Sequence, residues 1–507
     1  MTFNDDEQMV EPQNVSGEKP KAYKPGKTLL KVLHKSKVPL KETKLKVLLE
    51  LTGSGDNEDR SPLDLVAVLD VSGSMNELEK IVKLKIAMQF LVRKLSPVDR
   101  LSVVIFSDDS TRLFPLRQIT DKSQEDIIKQ VNALVAVGGT NIAAGLKMGV
   151  EVLNDRRLKD SRVGAIMLMS DGYQNIGDAC QVQVRNFAVH TFGLGNDFKP
   201  DVMNDIANKS KGGTFSVVGE PNDLSKAFAQ CLGGLLTVLV QDLNLTITQV
   251  DNQSKINNVS AGKYPKTETN RSVTILFGEL YNNEVRRVLV DLRLPKVGRR
   301  KSKQVLQVTY TYSAGKEKRP MKAPLTTVIV TRTGKVMDKE IPKVILEENR
   351  LKTLNSVKEA RLVADNELKK VENKVVEAIY SLKFVNVDDP SQLIKTLIYE
   401  LQQILDFTRT ENDYKEKGIP YAMSFETSHE RQRYATRGDD MEKVRTFATP
   451  RMDTYLEQVN NFEKDPTKPP PSLQDDVKHE HIDDVERERV DDPDNPCFTM
   501  MVWCIIM

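Results

Sequence analysis

The stretch that most constrains this chain is Asp64-Leu-Val-Ala-Val-Leu-Asp70, followed by Val71-Ser-Gly-Ser74. Leu65 to Leu69 is an unbroken apolar run, rich in β-branched residues, closed by an aspartate at each end. A run of that length without polar alternation predicts a strand buried on both faces, the habit of a parallel sheet covered by helices. Where the run stops, Asp70, Ser72 and Ser74 follow at i, i+2 and i+4 around Gly73. In open α/β sheets, ligands bind just outside the carboxyl ends of the strands. Oxygen donors gathered there suit a hard cation such as Mg2+, which is octahedral and keeps positions for water or an outside ligand.

Helical and strand periods alternate around this stretch. Leu84, Ala87, Met88 and Leu91 share one helical face, and helices are predicted over Ser123–Leu134, Ile142–Leu153, Asp201–Ser210 and Leu224–Leu235. Strands are predicted over Leu101–Ser107, near Leu113, and over Gly164–Ser170 and Ala188–Gly195. Repeated alternation of this kind gives an α/β fold, a doubly wound and mainly parallel sheet, over residues 61–238. From Leu243 the period becomes two, as in Leu243/Leu245/Ile247 and Leu306/Val308/Tyr310/Tyr312, so residues 239–340 read as an antiparallel β-sandwich. Leu45, Val47, Leu49 and Leu51 mark a strand within 41–60 that has no place in the central sheet. It is expected to join the sandwich, which makes the α/β domain an insertion.

Residues 341–462 return to a helical period. Leu368, Val371, Val375, Ile379 and Leu382 form one stripe, and Leu393, Leu397, Leu401 and Leu405 another, with Ser391 as an N-cap between them. A further helix is expected near Tyr421–Ala435. Residues 1–40, polar and lysine-rich, read as a flexible arm, and 463–507, with Pro469-Pro-Pro471 and many acids, as a disordered acidic tail.

A net charge of +2 gives no global pull toward nucleic acid, and none is expected as a partner. No stretch reaches the apolar length of a membrane helix, and the first residues lack a signal-peptide core. The four cysteines, Cys180, Cys231, Cys497 and Cys504, suit a reducing cytoplasmic compartment, with Cys180 and Cys231 as unpaired thiols.

Two later loops add donors to the first. Gly138-Gly139-Thr140 brings a hydroxyl where the glycines permit close backbone approach, and Met169-Ser-Asp171-Gly172 brings a second carboxylate directly after a buried strand. With these three elements in order, residues 64–235 resemble a von Willebrand factor A domain with a complete metal-dependent adhesion site. The resemblance implies a doubly wound sheet and Mg2+ or Mn2+ held by Asp70, Ser72, Ser74, Thr140 and Asp171, some through water. It also implies a protein partner that presents Asp or Glu to the metal. The segments Asp99–Phe106, Val137–Ile142 and Phe228–Leu235 are similar to a plant group of that family, many of whose members carry an N-terminal RING and act as ubiquitin ligases. A RING needs paired Cys/His ligands; the N-terminal region here has His34 and no cysteine, so ligase activity does not carry over.

The last four residues, Cys504-Ile-Ile-Met507, have the prenylation pattern that favours farnesyl. One lipid chain anchors only marginally, and Cys497 is the available palmitoyl site for a second. Arg437-Gly-Asp439 reads as incidental, His479-Glu-His481 as a solvated stretch, and Lys27, Lys31, Lys35 and Lys37 as part of the arm. No nucleophile–His–carboxylate set is evident, and the Gly-rich loops lack a phosphate-binding lysine pattern. The sequence therefore points to a non-enzymatic, metal-dependent protein-binding module, tethered at a membrane by its tail, with the plasma membrane favoured. Its alternative is a non-catalytic regulatory partner in a ubiquitin-ligase system.

Overall fold

The chain opens on three strands, β1 (Lys27–His34), β2 (Lys37–Pro39) and β3 (Thr43–Ser54), whose sheets are completed only after an entire domain has intervened. The structure, a computed structural model, describes residues 26–55, 60–314, 319–335, 338–363, 367–385, 392–438 and 443–473, with the single positions Met441 and Asp476.

The inserted domain is a six-stranded sheet in the order β6-β5-β4-β7-β8-β9. Its strands are β4 (Leu63–Asp70), β5 (Arg100–Phe106), β6 (Ser110–Gln118), β7 (Val163–Ser170), β8 (Ala188–Leu194) and β9 (Phe215–Val218). All pairings are parallel except that of β6, which runs antiparallel along the edge. Every residue of β4 is buried, because helices cover both faces. Leu65, Ala67 and Leu69 point into the core shared with α1 (Lys80–Lys94), α2 (Asp121–Asn132) and α5 (Leu224–Leu235). Val66 and Val68 point the other way, toward α3 (Ile142–Asp155) and α4 (Pro200–Lys209). That two-sided burial is what the unbroken apolar run encodes.

Asp64, at the start of β4, is completely buried and takes Arg100 Nε at 2.8 Å, Arg156 Nη1 at 2.7 Å and Arg162 Nε at 2.8 Å. Burial pushes its carboxyl up, but the hydrogen bonds and charges of Arg100 and Arg162 win and hold it below the usual range. This pins β4 to β5 and to the segment leading into β7 at the end of the sheet remote from the metal-type motif.

After α5 the sandwich resumes with β10 (Val238–Gln249), β11 (Lys255–Ser260), β12 (Lys266–Glu268), β13 (Ser272–Tyr281), β14 (Val285–Leu294), β15 (Lys301–Ala314), β16 (Arg319–Lys322) and β17 (Thr326–Thr333). One sheet runs β1-β3-β14-β11 and the other β12-β13-β10-β15-β17-β2, with β16 on β15. β3 therefore sits between β1 and β14, and the α/β domain is spliced between β3 and β10. The expectation of an arm as far as residue 40 is corrected here. Leu30 and Val32 pack against the sandwich core while Lys27 and Lys31 take the exposed side, so lysines conceal an ordinary half-buried strand. Lys35 pairs with Glu340 rather than standing in a solvated arm.

The helical region comprises α6 (Pro342–Arg361), α7 (Leu368–Lys383), α8 (Gln392–Phe407), the single turn α9 (Glu411–Asp413), α10 (Ile419–Arg431) and α11 (Pro450–Lys464). The two stripes meet in one core through Val371, Val375, Ile379, Ile394, Leu397 and Leu401. Ser391 lies outside the described residues. α10 is buried over nearly its whole length; Ser424 Oγ donates to Phe215 O at 2.9 Å, and Arg437 forms a parallel bridge with Val217 at the β9 edge. Arg437 is 2% exposed, 3.0 Å from Glu400, so this arginine is structural. α11 returns to pack on α5 and α1. A disordered tail from residue 463 is corrected in part: Lys94 Nζ donates to Pro471 O at 2.7 Å and to Asp476 at 2.6 Å, and Asp476 also meets Arg451 at 3.0 Å. Two buried cations draw that carboxylate in.

Replacing Asp64 with Asn leaves three guanidiniums crowded without a counter-charge. The expected loss is about 3–5 kcal/mol in denaturant unfolding of the full chain. Asp126→Asn, which removes an exposed partner of Arg117, is expected to leave the midpoint unchanged. Equal behaviour of the two variants would refute this account.

Candidate metal centre

β4 and β7 are adjacent parallel strands, and both end in an aspartate-bearing loop on the same sheet edge. Asp70 closes β4 and Asp171 follows β7; both are fully buried. Ser72 N donates to Asp70 Oδ1 at 2.8 Å, which folds the chain back over the carboxylate and brings its hydroxyls forward. Ser72 Oγ lies 3.1 Å from Ser74 Oγ, and Ser74 Oγ donates to Asp171 Oδ1 at 2.8 Å. Thr140 arrives from the loop before α3 and joins the same hollow. A methyl group built on Gly172 would stand 3.1 Å from Thr140 Oγ1 and 3.5 Å from Ser74 Oγ. All five sequence-derived residues thus meet in three adjoining loops, around a space that glycine keeps open.

The loops are stitched by their backbones. Gly73 N donates to Gly138 O at 2.9 Å, Val137 N to Val71 O at 2.7 Å and Asn175 N to Thr140 O at 3.2 Å. Gly138 has φ +86°, a conformation that favours glycine, and Asp108 Oδ1 accepts from Gly139 N at 2.8 Å. Asp108 and Asn175, whose Oδ1 accepts from Thr140 N at 3.0 Å, were not singled out from the sequence. Nothing in an isolated Asp or Asn in a turn distinguishes such a role.

Two further residues escaped the sequence reading and set the electrostatics. Ser170 Oγ donates to Asp70 Oδ2 at 2.5 Å, and Lys80 Nζ lies 2.7 Å from Asp171 Oδ2 with both side chains buried. Burial lifts the Asp70 carboxyl to about 6; hydrogen bonds from Ser170 and Ser72 pull the other way, and the neighbouring Asp171 charge adds to the rise. Asp171 has Lys80 beside it, and among the described residues no cation pairs with Asp70.

The donor chemistry fits a hard divalent cation: two carboxylates and three hydroxyls, all oxygen, around an open hollow. Among the described residues no group of three or more His, Cys, Asp or Glu side chains is placed to hold a metal, so the hydroxyls are essential to any such site. Cys497, Cys504, His479 and His481 lie outside the described residues. Cys180 and Cys231 are free thiols, pushed up to about 11 and about 12, mainly by burial.

Comparison with known proteins identifies the domain in which these residues lie. Residues 64–230 match the von Willebrand factor type A domain, and residues 391–461 match the family described as VWA / Hh protein intein-like. The Arabidopsis thaliana E3 ubiquitin-protein ligase WAV3 is 32% identical over 258 residues, covering 50% of this chain and 34% of that protein. The ligase WAVH1 of the same plant is 31% identical over 251 residues, covering 46% of this chain and 32% of that protein. The chain spans about a third of the length of these relatives. Von Willebrand factor type A from Catenulispora acidiphila has the same fold, with a TM-score of 0.59 and 14% identity over 82% of this chain and 99% of that chain. The chain carries a von Willebrand factor type A domain, a module that is commonly non-catalytic and holds a divalent metal for protein binding, and its plant-type relatives are as the sequence indicated.

The electrostatics of Asp70 give a test that needs no metal. The folded carboxyl keeps its proton up to about pH 6, whereas the unfolded one releases it near 3.8. Ionising Asp70 therefore costs stability as the pH rises from about 4 to 6, and above that the full cost, on the order of 3 kcal/mol, remains. In chelator at pH 7.5, Asp70→Asn is expected to raise the Tm, and at pH 4 to leave it unchanged. A lower Tm for the variant at pH 7.5 would contradict the assignment.

Proposed function

We propose that the chain is a divalent-metal-dependent protein-binding module that captures an acidic residue of a partner. Asp70, Ser72, Ser74, Thr140 and Asp171 hold the cation, Mg2+ first and Mn2+ as the alternative. The observation that carries this reading is the meeting of three hydroxyls and two carboxylates at the Gly172 hollow. A cation bound there supplies an electrophilic coordination position that an outside carboxylate can fill. The chain's own residues prepare it: Ser170 orients Asp70, Lys80 orients Asp171, and the Thr140–Asn175 pairing fixes the third loop.

The Cys504-Ile-Ile-Met507 end supports a farnesyl anchor, with Cys497 as a palmitoyl site that supplies the second attachment stable anchoring needs. The module then works in the cytoplasm as a scaffold or adaptor at a membrane surface, the plasma membrane first. No helix among the described residues is long and apolar enough to cross a membrane. The similarity to two plant ubiquitin ligases supports a second reading, a non-catalytic partner in a ligase system. Pull-down of RING-bearing ligases by wild type but not by Asp171→Ala would favour it.

Millimolar Mg2+ is expected to raise the Tm of the full chain and EDTA to reverse the rise; at a hundredfold excess over Kd the stabilisation is about 2.7 kcal/mol. Thr140→Val should lose most of that rise while its Tm in EDTA stays near wild type. A rise of wild-type size in Thr140→Val would remove the site. For the tail, Cys504→Ser should shift the protein from the membrane to the soluble fraction, and an unchanged distribution would end that part of the reading.

A further inference from the structure

Fifteen large apolar side chains stand exposed among the described residues, and five of them fall in the three short loops that carry the metal-type donors. Leu78 follows Ser74, Val135 and Val137 precede Thr140, and Tyr173 and Ile176 follow Asp171; their exposures run from 40% to 76%. The loops are in contact: Asn76 Nδ2 donates to Ala136 O at 3.0 Å, Val137 N to Val71 O at 2.7 Å, and Thr140 N to Asn175 Oδ1 at 3.0 Å. Five exposed apolar side chains thus fall in loops that are bonded to one another around the donors, where scattered single exposures would be the ordinary case.

Backbone strain points the same way. Leu78 and Glu79 have φ of +49° and +58°, two successive left-handed residues of which neither is glycine. Such conformations are costly and persist at ligand clamps and binding sites. Here the strain separates the turn at Gly73–Glu79 from α1 and leaves Leu78 76% exposed, so burial of its side chain does not repay it. The charges nearby set a further condition. Glu77, Glu79, Asp108, Asp109 and Asp178 are all exposed in or beside these loops. Against these five carboxylates stands Lys199, whose Nζ lies 5.7 Å from the centre of the Tyr173 ring, so the acidic side chains outnumber it and disfavour a strongly acidic ligand.

We propose that these five side chains form an apolar collar, and that its occupant is a segment of a protein partner in which a single Asp or Glu stands between aliphatic or aromatic residues. Polyacidic segments are refused. The proposal rests on the metal reading above: the carboxylate takes the cation and its apolar neighbours take the collar, a central anchor with a desolvating surround. The selectivity lies in the collar, since a carboxylate alone would be accepted from any acidic surface.

The test uses the full chain with Mg2+ and labelled peptides of equal length. One has Asp flanked by Leu, Val and Phe, one has Asp flanked by Gly and Ser, one carries four consecutive Asp, and one has Asn in place of Asp in the first. The first is expected to bind at least about tenfold more tightly than the others, a difference of about 1.4 kcal/mol. The combined Leu78→Ser, Val135→Ser and Tyr173→Ser variant should abolish that preference while keeping the Mg2+-dependent rise in Tm, which shows that the fold and the cation site are intact. A Mg2+-dependent Tm rise with no preference for the aliphatic peptide, or no binding of it at about millimolar concentration, would overturn the collar alone. Binding that survives EDTA yet is lost in the triple variant would overturn the metal reading and support the collar.

Discussion

The central strand β4 carries an aspartate at or next to each end, and the structure treats the two in opposite ways. Asp64 receives three guanidiniums and stays ionised below its ordinary range. Asp70 is equally buried but receives only hydroxyl and amide donors, with another carboxylate as its charged neighbour. Lys80, the nearest buried cation, is already committed to Asp171. Two carboxyl groups against one lysine leave these loops with one acidic side chain in excess. Isolated buried charge is among the costliest arrangements a protein can hold, so a fold that keeps this one is prepared for an external positive charge.

The rest of the molecule holds that pocket in place. The α/β domain enters and leaves the sandwich through β3 and β10, so both its ends are fixed to sheets. The helical region docks on the sandwich through the buried ion pair of Arg433 with Glu284 at 2.9 Å; within it Arg437 meets Glu400 at 3.0 Å while its backbone bridges Val217 of β9. Burial pushes Glu284 and Glu400 up, and the arginine charges outweigh it, holding both below the usual range. The arginine that opens an Arg-Gly-Asp tripeptide in the sequence is thereby spent on domain packing. A three-residue motif carries little meaning until its side chains are placed, and burial decided this one.

The parts of the structure legible in the sequence are those in which the local pattern and tertiary demand agree. β4 could be read because burial on both faces leaves no polar position, and Asp70, Ser72, Ser74, Thr140 and Asp171 because each follows a recognisable strand or glycine turn. β1 was hidden because its solvent face carries Lys27 and Lys31, which look like a disordered arm when counted by composition. Lys80 was hidden for a different reason. It lies on α1 among Lys83 and Lys85, and only the kink at Leu78 and Glu79 turns it inward to reach Asp171. Asp476 belongs to an acidic stretch that promises disorder, yet one carboxylate of that stretch satisfies Lys94 and Arg451. For Lys80 and Asp476 long-range ionic contacts overrode the local pattern, and for β1 it was pairing with β3.

The same contacts bear on whether this centre captures or transforms its ligand. Ser74 donates to Asp171, which resembles the start of a nucleophile–base pair, but Asp171 already carries the Lys80 ammonium on its other oxygen. Asp171 is thus shared between the Ser74 hydroxyl and Lys80 Nζ, with both the lysine and the aspartate side chain buried. The histidines among the described residues lie outside these loops. His190 and His429 are pushed down to about 3 and about 4, mainly by burial, and remain neutral at physiological pH within packed interfaces. What the three loops provide is a set of oxygen donors held in place by hydrogen bonds between neighbouring loops. The selectivity of a binding site of this kind rests on the shape and polarity of whatever surrounds the bound group.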